Sequence, residues 1–253
     1  MNYYGNNSPV LDYYKEMEYW QKVYSGEVKE VAADFITHIH DPLALLPSEV
    51  VADNFWDSIS KSIMDDLSTV EYDVLIESID KNEPILEVKT IPLFNDFHNG
   101  SYGICKYLST VQSSTYVEAG THFTNEHNLV PARQKYGEEH LKLGAQLGFV
   151  ALCKQPGSKT ITGTITPLGL EFTKLSVSEF YQICPKLILR IPIIAALIKS
   201  ANQSTVKIQN IMLELDMKES TIKRRTQSVK ALISVLKQTD SKLLNDRLTK
   251  IYW

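Results

Sequence analysis

Thr205-Val-Lys-Ile-Gln-Asn-Ile-Met-Leu-Glu-Leu-Asp-Met-Lys-Glu-Ser-Thr-Ile-Lys-Arg-Arg-Thr-Gln-Ser-Val-Lys-Ala-Leu-Ile-Ser-Val-Leu236 reads as a short helix, a tight turn and a longer helix. Turned at about 100° per residue, the longer helix places Ile222, Val229, Leu232, Ile233 and Leu236 on one stripe. A stripe of that kind packs a helix onto its own domain. Ser220, Lys223, Arg224, Gln227 and Ala231 fall on the opposite face, with Arg225 and Thr226 near the edge of the stripe. The layout is that of a helix-turn-helix, whose second helix presents its N-terminal residues outward.

The residue types at that front end have a definite chemistry. A guanidinium fork matches the acceptor pair on guanine, a carboxamide matches adenine, and hydroxyl and ammonium groups suit phosphates. Glu219 or Ser220 opens the helix, where the positive end of the dipole favours an anion. The predicted contact set for double-stranded DNA in this module is Ser220, Thr221, Lys223, Arg224, Arg225 and Gln227. A solvated basic face on a purely structural helix is the competing reading.

Composition bounds the remainder. The 253 residues suffice for two or three small domains, and 43% hydrophobic with 22% charged residues is ordinary for a soluble globular chain. No apolar run reaches the roughly 18 residues of a membrane span. The first residues lack the basic and apolar parts of a signal peptide, and Cys105, Cys153 and Cys184 are too few and too far apart for a disulfide framework or a zinc site. A cytoplasmic location with reduced thiols, and no membrane contact, is the expectation.

The net charge of −4 argues against a polyanionic partner until it is divided along the chain. Residues 201–253 hold ten Lys and Arg against five Asp and Glu, whereas residues 1–200 hold 16 against 25. An acidic body with a basic module confines any contact with DNA to limited surfaces.

Three segments follow, and the fold class they predict is mainly α with some β. Residues 1–95 are expected to form a helical domain. Its helices are Leu11–Val23, Val28–Ile39 and a third from Pro47 to Leu67 with Val50, Phe55, Trp56, Ile59, Ile63 and Met64 inward. Tyr72–Glu77 and Pro84–Ile91 then read as two strands of a hairpin around Asp80–Glu83. Pro92 and Asn95–Gly100 mark a boundary.

Residues 100–175 read as a winged helix. Tyr102–Val111, Thr115–Phe123 and Pro131–Leu147 are its helices, the last with Tyr136, His140, Leu143 and Leu147 on one side and Gly148 as a left-handed cap. Phe149–Lys154 and Lys159–Thr166 are strands around the turn Gln155–Ser158, and Pro167–Gly169 opens a closing helix through Leu175. Arg133, Gln134 and Lys135 at the front of the third helix, and Lys154 and Lys159 at the wing, are the residues expected to meet DNA. Residues 176–253 complete the chain as a second helix-turn-helix or winged helix. Winged helices also serve as plain protein-interaction modules, so a protein adaptor stays open.

Four strings, Arg133–Tyr136, Leu147–Val150, Ile165–Gly169 and Thr221–Val229, resemble the tandem winged-helix recognition modules of type II restriction endonucleases, and similar pairs in bacterial defence-associated proteins. The resemblance covers roughly residues 100–240. It implies recognition of duplex DNA, as part of a restriction or defence system, without implying catalysis. A transcription regulator is the alternative of the same class.

The enzyme-class alternative lies earlier. Asp73, then Glu87-Val-Lys89, resembles the Asp…Glu-x-Lys pattern of Mg²⁺-dependent endonucleases, in which two carboxylates on adjoining strands hold the cation and lysine orients water. No cofactor is otherwise expected, and Mg²⁺ enters only with that alternative. Charged residues also blunt exposed strand edges, which explains the same string without chemistry. His38-Ile-His40-Asp41 lacks the further ligands of a metal site. His122, His127 and His140 are scattered, and His140 falls on the core side of its helix. The aromatic group Tyr3, Tyr4, Tyr13, Tyr14, Tyr19, Trp20 and Tyr24 fits either helix packing or a homodimer or partner surface.

Overall fold

A computed structural model describes residues 61, 63–124, 130–154 and 160–253. The helices expected in 11–39, the aromatic group before residue 25, the His38–Asp41 string, His127, the turn at 155–158 and Lys159 lie outside the described residues. The chain is mainly helical with a small antiparallel sheet and a two-residue parallel pair.

Residues 63–69 are helical, with Ile63 and Leu67 buried. Helix α1 (Tyr72–Lys81) follows, and here the expected hairpin at 72–91 is corrected. Leu75, Ile76 and Ile79 are all buried, a one-and-four spacing that belongs to a helix. The window Tyr72–Glu77 stops short of Ile79, and three consecutive apolar positions, Val74, Leu75 and Ile76, look alike in either period. Residues 84–91 are an extended segment ending in a 3-10 turn, Val88–Thr90, rather than a second strand.

The expected boundary at 95–100 is also corrected. Phe94, Gly100 and Ser101 are buried, and a π-helical turn, Asn99–Gly103, leads directly into α2 (Ile104–Val111). Asp96 accepts from the Asn99 main-chain amide at 3.0 Å and from its carboxamide at 2.8 Å, which starts the turn. Strand β1 (Ser113–Thr115) comes next, then α3 (Tyr116–Phe123). Thr115 caps α3 reciprocally with Glu118: its hydroxyl accepts from the Glu118 amide at 3.3 Å and the carboxylate accepts from the Thr115 amide at 2.8 Å.

Helix α4 (Val130–Gln146) crosses α3 at backbone contact. A Cβ at Gly120 would run into the Arg133 carbonyl, and one at Gly137 into the Tyr116 carbonyl. Only glycine at both positions admits this crossing. Gly148, at φ 87°, then reverses the chain into β2 (Val150–Lys154), as the cap expectation held. Strand β3 (Ile161–Ile165) is central, pairing antiparallel with β2 (Val150 opposite Ile165) and with β1 (Ser113 opposite Thr164). Helix α5 (Pro167–Thr173), capped by Thr166, closes this part.

The last stretch contains α6 (Val177–Ile188), α7 (Pro192–Gln203), β4 (Val206–Lys207), α8 (Ile208–Leu213), α9 (Glu219–Leu236), α10 (Lys242–Leu248) and β5 (Ile251–Tyr252). Strands β4 and β5 pair in parallel, Val206 opposite Ile251. The described residues of 176–253 thus have no antiparallel wing, which corrects the winged-helix option there and leaves the helix pair. Helix α7 is buried on nearly all sides, through Ile193, Ile194, Ala195, Ala196, Leu197, Ile198 and Ala201.

Helix α1 packs on α7 and α10, so the packing crosses the expected division at residue 95. Asp80 of α1 meets Arg247 of α10 in a double hydrogen bond, both at 2.6 Å, and Arg247 also donates to the Ile198 carbonyl at 3.3 Å. Lys186 donates to the Leu67 carbonyl at 2.6 Å and lies 5.6 Å from the Tyr72 ring centre. One continuous apolar core runs from Ile63 through Phe149 and Phe180 to Ile251.

Candidate functional site

Helix α9 is placed by what lies before it. Helix α8 buries Ile208, Ile211 and Met212, and the chain turns at Asp216, whose φ is 52°. An aspartate tolerates that left-handed value better than a branched residue. Met217 is buried, and Lys218 supplies the extended residue ahead of the helix. Its carbonyl accepts from the amides of Thr221 and Ile222, at 2.9 and 3.0 Å.

The side chains of α9 then divide as the periodicity requires. Ile222, Val229, Leu232, Ile233 and Leu236 are all buried. Ser220, Lys223, Arg224 and Gln227 are exposed, and Thr221 is half-buried beside them. Two residues near the stripe behave differently from the expected contact set. Thr226 is buried and donates to the Ile222 carbonyl at 2.7 Å. Arg225 turns its guanidinium inward, donating to the Val88 carbonyl at 2.8 Å and to the Ile91 carbonyl. Burial, together with neighbouring Arg224, lowers its pKa from the ordinary arginine value. Arg225 is therefore a strut that ties α9 to the segment before α2, not a member of the exposed face.

That segment is held twice more. Ser228 accepts from the Phe94 amide at 2.9 Å and donates to the Phe94 carbonyl at 2.8 Å. Gln146, at the end of α4, donates to the Thr90 carbonyl at 3.2 Å. Residues 88–94 thus bind α9 on one side and α4 on the other.

On α4, Gln134 and Lys135 are exposed and Arg133 is half-buried. Lys135 lies 3.9 Å from Glu139, whose side chain is only 10% exposed. Burial raises the Glu139 carboxyl above the ordinary range; Lys135 and Arg224 oppose that rise, and Glu138 adds to it. Arg224 of α9 therefore stands near enough to Glu139 for its charge to be felt there. Glu139 is a residue that sequence reasoning missed, although its position four after Lys135 was a legible pairing signal. Lys154 is exposed at the end of β2.

The Asp73, Glu87, Lys89 set is not assembled on adjoining strands. Asp73 is in the first turn of α1, where its carboxylate accepts from Ser241 at 3.3 Å. Glu87 precedes the 3-10 turn and pairs with Lys89 at 2.8 Å, both well exposed. Among the described residues no three His, Cys, Asp or Glu side chains converge as a metal site would need. His140 is buried against the Phe123 ring, at 5.0 Å between centres, and burial lowers its pKa, which favours the neutral ring at neutral pH. His122 stacks on Tyr107 at 4.2 Å. No helix among the described residues is long and apolar enough to cross a membrane.

The exposed residues at the fronts of α4 and α9 offer ammonium, guanidinium, carboxamide and hydroxyl groups. Neither a family model, nor a curated protein, nor a solved structure matches this chain.

Proposed function

We propose that this protein binds double-stranded DNA, with the N-terminal half of α9 as its principal reading element. The observation that carries this is the separation of side chains on α9. Ser220, Lys223, Arg224 and Gln227 are outward while Ile222, Val229, Leu232, Ile233 and Leu236 are buried. A short helix and a left-handed turn precede that face, the setting in which a recognition helix is delivered to a major groove.

The order α2, β1, α3, α4, β2, β3, with β3 central, supports a winged-helix reading of residues 104–173. In that reading Arg133, Gln134 and Lys135 face the duplex, and Lys154 flanks it. The biological role we favour is the recognition component of a restriction or defence system, or a transcription regulator in the cytoplasm. Phosphate contacts by Lys223 and Arg224 would give affinity, and a Gln227 base contact would give preference.

Duplex binding measured over a salt series tests the reading. Lys223→Ala with Arg224→Ala should weaken binding and lower the slope of log affinity against log salt by about 1.8, for two lost phosphate contacts. Parent-like affinity and slope in that double variant would remove α9 as the reader. No binding of the unmodified protein to duplex at any salt concentration would leave the adaptor reading in its place.

A further inference from the structure

We propose that Tyr252 and Trp253 form a stacking site for an unpaired base at the edge of the duplex that α9 reads. The inference rests on the DNA-binding reading above and adds a class of DNA to it: a duplex that runs on into a single strand.

Three features support it. The first is the exposure of two adjacent aromatic rings, since Tyr252 is 49% and Trp253 54% exposed. Tryptophan is ordinarily buried over most of its surface, and Tyr and Trp with one side open to water are typical of interfaces. The second is that these rings are held in place without joining the core. Ile251 is buried, and β5 pairs with β4, placing Val206 opposite Ile251 and Lys207 opposite Tyr252. The Val206 amide also donates to the Lys250 carbonyl at 2.9 Å. The backbone and one apolar side chain thus anchor the segment, and the two rings after Ile251 have no part in that anchorage.

The third is continuity with the outward face of α9. The Lys230 ammonium lies 4.3 Å from the centre of the Trp253 ring. Lys223, Gln227 and Lys230 follow one another at steps of four and three residues, so they fall within about 60° around the helix axis. Lys230 stands about 10 Å beyond Lys223 along that axis, two turns from the front of the helix. The indole therefore extends the face that carries the proposed contacts. Its chemistry suits a polyanion: Lys207 is opposite Tyr252, Lys230 is against Trp253, and the stretch from Arg247 to Trp253 has no carboxylate side chain. In an intact duplex both faces of a base are already stacked on neighbours. An aromatic ring gains a base face only where that stack is open, and it then accepts any base.

The probes are a blunt DNA duplex of about 20 base pairs and the same duplex with a single-stranded extension of about six nucleotides on either strand. Binding is followed by the anisotropy of a labelled strand and by tryptophan emission. The extension should tighten binding about fivefold or more, the low end for one base stacked on an aromatic ring. It should also quench tryptophan emission more than the blunt duplex does. Trp253→Leu should remove the extra quenching and most of the advantage of the extension. A merely structural Trp253 would, on replacement, lower the melting temperature and leave that advantage intact.

Equal affinity of the parent for blunt and extended duplex overturns the stacking site and leaves the α9 reading standing. An advantage that survives in full in Trp253→Leu does the same. If the parent binds neither duplex, the DNA-binding reading fails first and takes this inference with it. The comparison of blunt and extended duplex uses the parent alone, so it decides the matter even if Trp253→Leu does not fold.

Discussion

Helices α4 and α9 are of nearly equal length, 17 and 18 residues, and each opens with polar side chains, yet they are held in different ways. Helix α9 is seated by a conventional apolar stripe that runs its full length. Helix α4 is seated at its front by glycine, where the backbone of α3 comes against it at Gly120 and Gly137. Farther along it is buried on two sides, with His140 and Leu143 toward Gly100 and Leu141 toward Gly163 of β3. The difference teaches that side-chain burial and backbone proximity are separate ways to fix a polar helix start. Only the first leaves a periodic trace in the sequence.

The sharpest way to break that comparison is to damage each seat in its own currency. Gly137→Val should lower stability by about 3 kcal/mol or more, because the Tyr116 carbonyl cannot move aside as a flexible side chain would. Val229→Asp should cost several kcal/mol, on the order of 3, by placing a lone carboxylate in the fully buried stripe of α9. Denaturant unfolding measures both. A parent-like midpoint for Gly137→Val would mean that the α3–α4 crossing is looser than its geometry, and one for Val229→Asp that the α9 register is wrong.

A middle-sized effect is expected where the two helices share a support. Arg225→Met keeps most of the apolar stem but removes the charged donor to Val88 and Ile91. The loss should be about 2 kcal/mol, in the range for hydrogen bonds from a charged group. The salt slope for duplex binding should not change, since this guanidinium faces inward. A slope reduced by as much as Arg224→Ala reduces it would return Arg225 to the contact face.

The smallest effect lies at the start of α3. Thr115→Ala removes the cap and should cost about 1 kcal/mol. Glu118 answers Thr115 by accepting from its amide and hydroxyl, and those bonds lower its pKa below the ordinary glutamate value. Since the folded value is the lower one, this contribution is fully present above the unfolded pKa. It fades as pH falls through the folded one. Unfolding curves from neutral to acid pH should show a small acid-side loss that is reduced in Thr115→Ala. The same loss in parent and variant would show that the cap does not couple to Glu118.

Much of this architecture was legible in the linear order of residues. The buried and exposed sides of α9 followed from a 3.6-residue period carried over five turns, and α3 was expected over Thr115–Phe123, where the helix spans Tyr116–Phe123. Gly148 was legible because a residue between a helix and a strand must reverse the chain. The hairpin expected at 72–91 shows the opposite case. A six-residue window with Val74, Leu75 and Ile76 at its centre satisfies a strand and a helix alike, and packing on α7 and α10 goes with the helix that buries Leu75, Ile76 and Ile79.

By itself, then, the sequence determined where amphipathic helices begin, which side of each is apolar, and that basic charge gathers after residue 200. These are local properties, set by steric preference and by periodicity within one element. Only the tertiary structure decided that Arg225 is a strut, that Asp80 closes on Arg247, and that Lys186 reaches the Leu67 carbonyl. Each of those pairs, or the segment that joins it, spans tens of residues or more along the chain. No period within a single helix records which distant charge will share its burial, because that choice is made when the helices pack and water leaves between them.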